Sequence, residues 1–387
     1  MNEIISQYYK DVQILTPNDG YHYFFGYYDM RATGESGRHL SHRVSFMDRL
    51  PTAEDLAEIG YLEDGRFVKI GETSAWNFQQ GAMLQYHPFL ENTVYYNVFE
   101  EGRFMTLTHN FATGEKKYAD RASACISPDG KWGLGVNFGR IYDFRPGYGY
   151  AGFVDEYANV NAPVEDGVFL IDLESGSSKL LLSYKDLAPI AGFSAEDKVL
   201  VNHITFNTTS DRFVMLVRNF PMPGKHGWST SMVIGDLKGN AVTVLPNTYV
   251  SHYHWKNDCE IVAHCTVEDG KKSMYLINVD TKVATEYDMP YFHKEGNGDI
   301  HCNFSPDGKH IIGDGYPFDG YRYLMAYSLE SGESRELLRA LTNKPSVVDI
   351  RCDLHARFVW GGRCVSFDTV QNGRREIALI SADALDF

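Results

Sequence analysis

The stretches ISPDGKWGLGVNF (126–138) and FSPDGKHIIGDGY (304–316) decide how this chain is read. In each, a short apolar run ends in a tight Asp-Gly turn and a second apolar run leaves it, the pattern of two antiparallel strands. Working outward, a unit of strand, polar turn and strand recurs at YLEDGRFVKI (61–70), NFATGEKKY (110–118), IDLESGSSKLLL (171–182), GDLKGNAVTVL (235–245), NVDTKVATEY (278–287) and SLESGESRELL (328–338). The run EIALISADAL (376–385) supplies a strand for a seventh copy. The turn centres lie roughly 40 to 65 residues apart, the length of one four-stranded propeller blade with variable loops. The expectation is therefore an all-β, seven-bladed β-propeller. It is one domain over 1–387, with its ring closed by the N- and C-terminal segments and blades two to seven starting near 76, 121, 201, 250, 299 and 350. A pair of all-β sandwiches is the alternative, but sandwiches do not repeat these signatures in this order. Helical periodicity is scarce; only PTAEDLAEIGYL (51–62) leaves room for a helical turn or two.

Composition narrows the function classes. Lys and Arg number 36 against 51 Asp and Glu, a net charge of −15, which argues against nucleic acid as a partner. A small anionic ligand can still be held where positive groups gather locally. No basic segment precedes an apolar one at the N-terminus, and no apolar run approaches the ~18 residues that cross a bilayer. The six cysteines are scattered without a CxxC pair, as in reduced thiols of a cytoplasmic protein. The aromatic share is 14%, suited to sheet packing and to surfaces on which sugars stack.

Aligning the blades on the SPDG turn reveals a register of histidines. The first strand of a blade lines the central channel, and His301 stands four residues before Ser305 in HCNFSPDG. The same station holds His203 in HITFNTTSD, His252 in HYHWKND and His355 in HARFVWGG. Blade three carries Ser123 there. The chain has 14 histidines in all, so four consecutive blades in register are not expected by chance. A lone histidine at a strand start is normally structural, whereas converging imidazoles suit a transition metal or proton transfer near neutral pH.

Neighbouring polar residues add to the register. In DIRCDLH (349–355), Arg351, Asp353 and His355 alternate, so a strand would point all three to one side. Asp353 would serve as a metal ligand or orient a histidine. His252 and His254 alternate in the same way. Arg218 ends the second strand of blade four, and Arg322 follows the aromatic loop YPFDGYRY (316–323). Either could grip a carboxylate bidentately or form a plain loop salt bridge. Two long connections, 139–167 (with Tyr148) and 219–231, are rich in aromatic residues and glycine, as is expected around a carbohydrate. AWNFQQGAMLQ (75–85) adds Trp76 and Gln80 at the start of blade two.

Histidines at the starts of late blades, SPDG-type turns and cytoplasmic character together resemble the oligogalacturonate lyases, seven-bladed propellers that cleave short uronate oligosaccharides. The resemblance is architectural over most of the chain; its sequence motifs are short. It implies a manganese-type ion near the axis, held by histidines, with another histidine as base and an assisting arginine. Carried over by blade position, His203, His301 and His355, with Asp353, would form the metal cage, and His252 and Arg218 would be the base and the arginine. Arg351, Arg322, His254, Trp76, Gln80 and Tyr148 would contact a small anionic oligosaccharide. The family's last blade carries Q-x-x-H-x-H; here the stretch is I-R-C-D-L-H (350–355), which keeps only His355. The implied reaction is β-elimination. A glycoside hydrolase on the same scaffold, or a non-catalytic platform binding glycan or protein, are the alternatives. A serine-hydrolase propeller is set aside for want of a GxSxG segment.

Overall fold

The computed structural model describes residues 4–6, 12–221, 227–267, 270–287, 289 and 299–386. Seven four-stranded antiparallel sheets follow one another along the chain, each meandering from an inner to an outer strand. The six strand–turn–strand units of the sequence are the third and fourth strands of blades one to six. Both SPDG turns join first to second strands, at 126–132 and 304–310.

The ring is closed by a strand from the N-terminal segment. Blade seven takes three strands from the C-terminus, Arg357–Val359, Cys364–Gln371 and Arg374–Ser381, and its outer strand is Gln13–Ile14. Ile4–Ile5 adds a fifth strand to the outer edge of blade six, against Ser334–Leu341. A ring closed this way leaves few exposed strand edges. The core lies between the blades, where Leu, Val, Ile and aromatic side chains of adjacent sheets interdigitate.

Three expectations are corrected in detail. Residues 51–62 hold no helical turn: Ala57–Glu63 is the third strand of blade one, and its alternation of Ala57, Ile59 and Tyr61 on one face outweighs the helix propensity of Ala, Leu and Glu. The helices Phe138–Phe144 and Tyr184–Ile190 lie instead in the long blade-three connection and between blades three and four. The inner strand of blade two begins at Gln85, not near 76, because 77–81 folds into a tight loop bridged between Asn77 and Gly81. Finally, Arg351–Ala356 is not a strand; it runs irregularly between the 3-10 turn Val348–Ile350 and the strand at Arg357. No helix among the described residues is long and apolar enough to cross a membrane.

Candidate metal and carboxylate site on the propeller axis

The inner strands of blades four to six and the irregular segment before the inner strand of blade seven bring four imidazoles together. His252 and His301 have ring centroids 4.1 Å apart, His301 and His355 4.5 Å, and His203 and His252 5.7 Å. Irregular backbone aims them. His203 is the extra residue of a bulge between Asn202 and Ile204, and the pairing of blade five shifts between Val250 and Tyr253, around His252. His203 and His355 have positive φ, 55° and 43°, a conformation that costs a β-carbon-bearing residue energy and tends to persist at functional sites.

Carboxylates set the orientation of these rings. The His252 Nδ1–H donates to Asp299 Oδ1 at 2.6 Å, and the Ser251 hydroxyl donates to Oδ2 of the same carboxylate at 2.6 Å. Its Nε2 therefore carries the lone pair. Burial pushes His252 down to about 4, against the opposing pull of Asp299, so the ring is neutral near pH 7. Asp314 binds His301 Nδ1 at 3.2 Å through one oxygen and takes the Leu354 N–H at 2.9 Å on the other, tying blade six to the irregular segment of blade seven. His355 Nδ1 donates to the Gly26 carbonyl at 3.0 Å. With both Nδ1 positions acting as donors, the Nε2 lone pairs of His301 and His355 are buried and without a partner.

Asp353 completes the group: ligand atoms of His301, Asp353 and His355 all lie within 4.8 Å of one another. The Arg351 Nε–H donates to Oδ1 of the Asp353 carboxylate at 3.1 Å, with Nη2 2.8 Å from Oδ2 as an ion pair, and Arg322 pairs with Oδ1. Burial alone would raise Asp353; Arg322 and Arg351 more than offset this and keep it well below the usual carboxylate range. The segment that carries it is pinned from beneath, where Gln79 Nε2 and the Arg375 guanidinium donate to the carbonyls of residues 349–351.

Above the imidazoles opens a cleft of about 510 Å³, lined by His203, His252, Arg145, Arg218, Trp228, Tyr249, Asp299 and Tyr316 among others. Arg218 donates to Asn202 Oδ1 at 2.9 Å, while its Nε is buried and unclaimed. Arg145, paired with Asp349 at 3.1 Å, lies beside Tyr148 and Trp228. Trp228 is 43% exposed over Arg218 and Arg145. Below, the channel is plugged by Tyr27 and Tyr28. Asp368 accepts from the Phe25 N–H at 3.1 Å and pairs with Arg357, holding the entry of that segment. The Tyr27 ring meets all four histidines, and its hydroxyl lies 3.2 Å from His203 Nε2.

The residues singled out in the sequence thus separate into groups. His301, Asp353 and His355 form the ligand cluster, with Arg351 and Arg322 on Asp353. His252 and Arg218 share the cleft. His203 stacks on Tyr27 at 5.1 Å and stands apart from the three-residue cluster. Tyr148 is buried and accepts from Arg351 Nη2 at 3.1 Å. His254 faces a different cavity, below the plug, with Trp255 and Cys125. Gln80 lines a small void beside Tyr27 and Met83. Trp76 is enclosed by Phe24, Phe46 and Phe78, with its Nε1–H on the Asp55 carbonyl. Sequence reasoning passed over Tyr27, Asp299, Asp314, Tyr249 and Tyr316. A signal for Asp299 exists: Asp299-Ile-His301 and Asp353-Leu-His355 repeat the same Asp-x-His spacing in successive blades, each aspartate reaching the blade before.

No family model matches the chain, and no curated protein matches it by sequence. Solved structures do. An oligogalacturonate lyase in complex with manganese superposes with a TM-score of 0.67 at 15% identity, over 98% of this chain and 96% of that one. The architecture is that of the oligogalacturonate lyases. A second oligogalacturonate lyase, from Vibrio parahaemolyticus, gives 0.63 at 13% identity over the same shares. A prolyl endopeptidase gives 0.52 at 10% identity, but this chain covers only 48% of it. The oligogalacturonate lyases thus match nearly end to end, whereas the match to the peptidase covers about half of that chain. At these identities the likeness is one of fold.

Proposed function

We propose that this propeller is a metal-assisted lyase that cleaves short uronate oligosaccharides by β-elimination. The observation that carries this reading is one cleft in which a neutral imidazole, oriented by a carboxylate, stands with an arginine that has an unclaimed N–H, and in which that imidazole packs against His301, one of two histidines with a buried, unclaimed Nε2. The full-length likeness in fold to the oligogalacturonate lyases supports it.

β-Elimination removes the proton at C5 of a uronate, forms the C4–C5 double bond and expels the C4 oxygen. His252 Nε2 would take the C5 proton. Asp299 fixes the tautomer that leaves this nitrogen free and stabilises the ring once protonated. Arg218, and Arg145 at the rim, would bind the carboxylate and stabilise the charge that spreads onto it as C5 is deprotonated. Trp228 offers a stacking face for a sugar ring. The leaving oxygen takes its proton from water admitted through the open mouth of the cleft.

The donor set fits a divalent transition metal. Two buried imidazole Nε2 atoms without partners and one carboxylate form a two-histidine, one-carboxylate triad. His301, His355 and Asp353 would hold the ion, with manganese the preferred candidate. Bound there, it would neutralise the uronate carboxylate and make the neighbouring C–H more acidic.

The test is digestion of digalacturonate and trigalacturonate by the purified protein with manganese. Appearance of the ultraviolet absorbance of an unsaturated uronate supports the reading. Reducing ends without that absorbance would assign a hydrolase, and no turnover with no binding would reduce the site to a platform.

A further inference from the structure

The buried carboxylates around the axis are already matched by guanidiniums: Arg357 pairs with Asp368, and Arg375 lies buried on the carbonyls of residues 350 and 351. Three guanidiniums, Arg218, Arg322 and Arg351, face three carboxylates, Asp299, Asp314 and Asp353, and all six side chains are buried. Arg145 and Asp349 at the rim form their own pair. Asp353, the only anionic member of the ligand cluster, is already shared between Arg351 and Arg322.

A divalent cation at His301, Asp353 and His355 must therefore compete with two guanidiniums for one carboxylate. It would also add two positive charges to a buried set whose carboxylates are already matched by guanidiniums. Excess charge in a site shielded from water is costly unless a counter-charge enters with it. The cleft that opens over His252, whose ring touches that of His301, is where an anion can come close enough to offset it.

We propose that the Arg322–Asp353–Arg351 clamp makes ion binding conditional on an anionic ligand, so that a divalent cation and a uronate enter the site as a pair. Alone, each binds weakly; together, each strengthens the other by the same factor, as linkage requires. The inference rests on the uronate reading above. It adds that the arginines on Asp353 tune the ion's affinity instead of touching the sugar. The substitution of Asp for a neutral ligand in I-R-C-D-L-H then does not by itself strengthen the site, because its charge is already spent on the arginines.

The experiment is a titration of the metal-free wild-type protein with manganese, followed by the paramagnetic resonance of the free ion. It is run alone, with galactose and with galacturonate, and each mixture is also measured without protein to subtract ion–sugar complexes. Manganese affinity should rise about tenfold or more with galacturonate and stay unchanged with galactose. Calorimetry should show galacturonate affinity rising by the same factor once manganese is bound. Arg322→Gln, which removes one competing charge and leaves Arg351 on Asp353, should bind manganese more tightly in the absence of sugar and show a smaller coupling factor. Equal manganese affinity with galactose and galacturonate would overturn the coupling while leaving the uronate site standing. If neither manganese nor galacturonate binds in any combination, the uronate reading fails and the coupling with it.

Discussion

His39 and His42 of blade one and His301 and His355 on the axis are all buried imidazoles, yet they differ in which nitrogen is left over. The His39 Nδ1–H donates to the Leu40 carbonyl at 2.7 Å, and its Nε2 pairs with the Ser366 hydroxyl at 2.9 Å. The Nε2 of His42 accepts the Ala82 N–H at 2.9 Å, and the ring stacks on Phe24 at 4.8 Å. Both blade-one lone pairs are spent inside the protein. His301 and His355 instead spend their N–H groups, on Asp314 and the Gly26 carbonyl, and keep their lone pairs. An unspent lone pair in a buried site can hold a metal or take a proton; an unspent N–H cannot. Burial does not mark a functional histidine, but the direction of its hydrogen bonds does.

This contrast can be broken or sharpened by mutation. The largest effect is expected at His252: His252→Ala should lower kcat by ~10² to 10⁴, the usual contribution of a general base, with little change in thermal stability. A similar activity in the variant would remove His252 from the chemistry. On the structural side, a β-carbon at Gly81, whose φ is +61°, would lie 2.2 Å from Cε1 of the His42 ring. Gly81→Ala should therefore cost on the order of 3 kcal/mol or more in a denaturant titration, while any protein that folds keeps its affinity for manganese.

A third test uses pH. Burial pushes His39 down to about 3 and His42 down to about 4, both from an ordinary 6.5. The unfolded chain then binds more protons than the folded one below pH 6.5. Their contribution to stability is complete above that value and falls as the pH drops toward 4 and 3. At pH 5 each should have lost about 2 kcal/mol. Denaturation midpoints at pH 7 and 5 should differ accordingly, and His39→Gln should shrink the stability difference by about 2 kcal/mol; a pH-independent midpoint in the wild type would contradict the assignment. The smallest effect is expected at the rim, where Trp228→Ala should raise KM for an oligouronate a few-fold and leave Tm unchanged, because the ring is half-exposed.

The ring of blades was legible because its signals are local. An Asp-Gly turn between apolar runs specifies a hairpin wherever it stands, and SPDG occurs twice, with the related turns DLESG at 172–176 and SLESG at 328–332. The histidine register was legible for the same reason, since each sits at a fixed offset from a turn. What escaped depends on contacts between blades. Tyr27 enters the channel because Asp368 and Arg357, more than 300 residues away, hold Phe25 and Gly26. Asp299 and Asp353 act on the preceding blade, which a reading of one strand does not reach. Arg351, Asp353 and His355 converge without forming a strand, because Gln79 and Arg375 hold their backbone. Trp76 sits in a sequence that suits a sugar platform, yet Phe24, Phe46 and Phe78 enclose it.

The most direct test of the difference between the two classes of histidine is manganese binding, measured with galacturonate present, in His301→Ala and His42→Asn beside the wild type. The wild type and His42→Asn should each bind one ion per chain with the same affinity, and His301→Ala should bind none at the same concentrations. A His301→Ala protein that holds manganese as the wild type does would contradict the account.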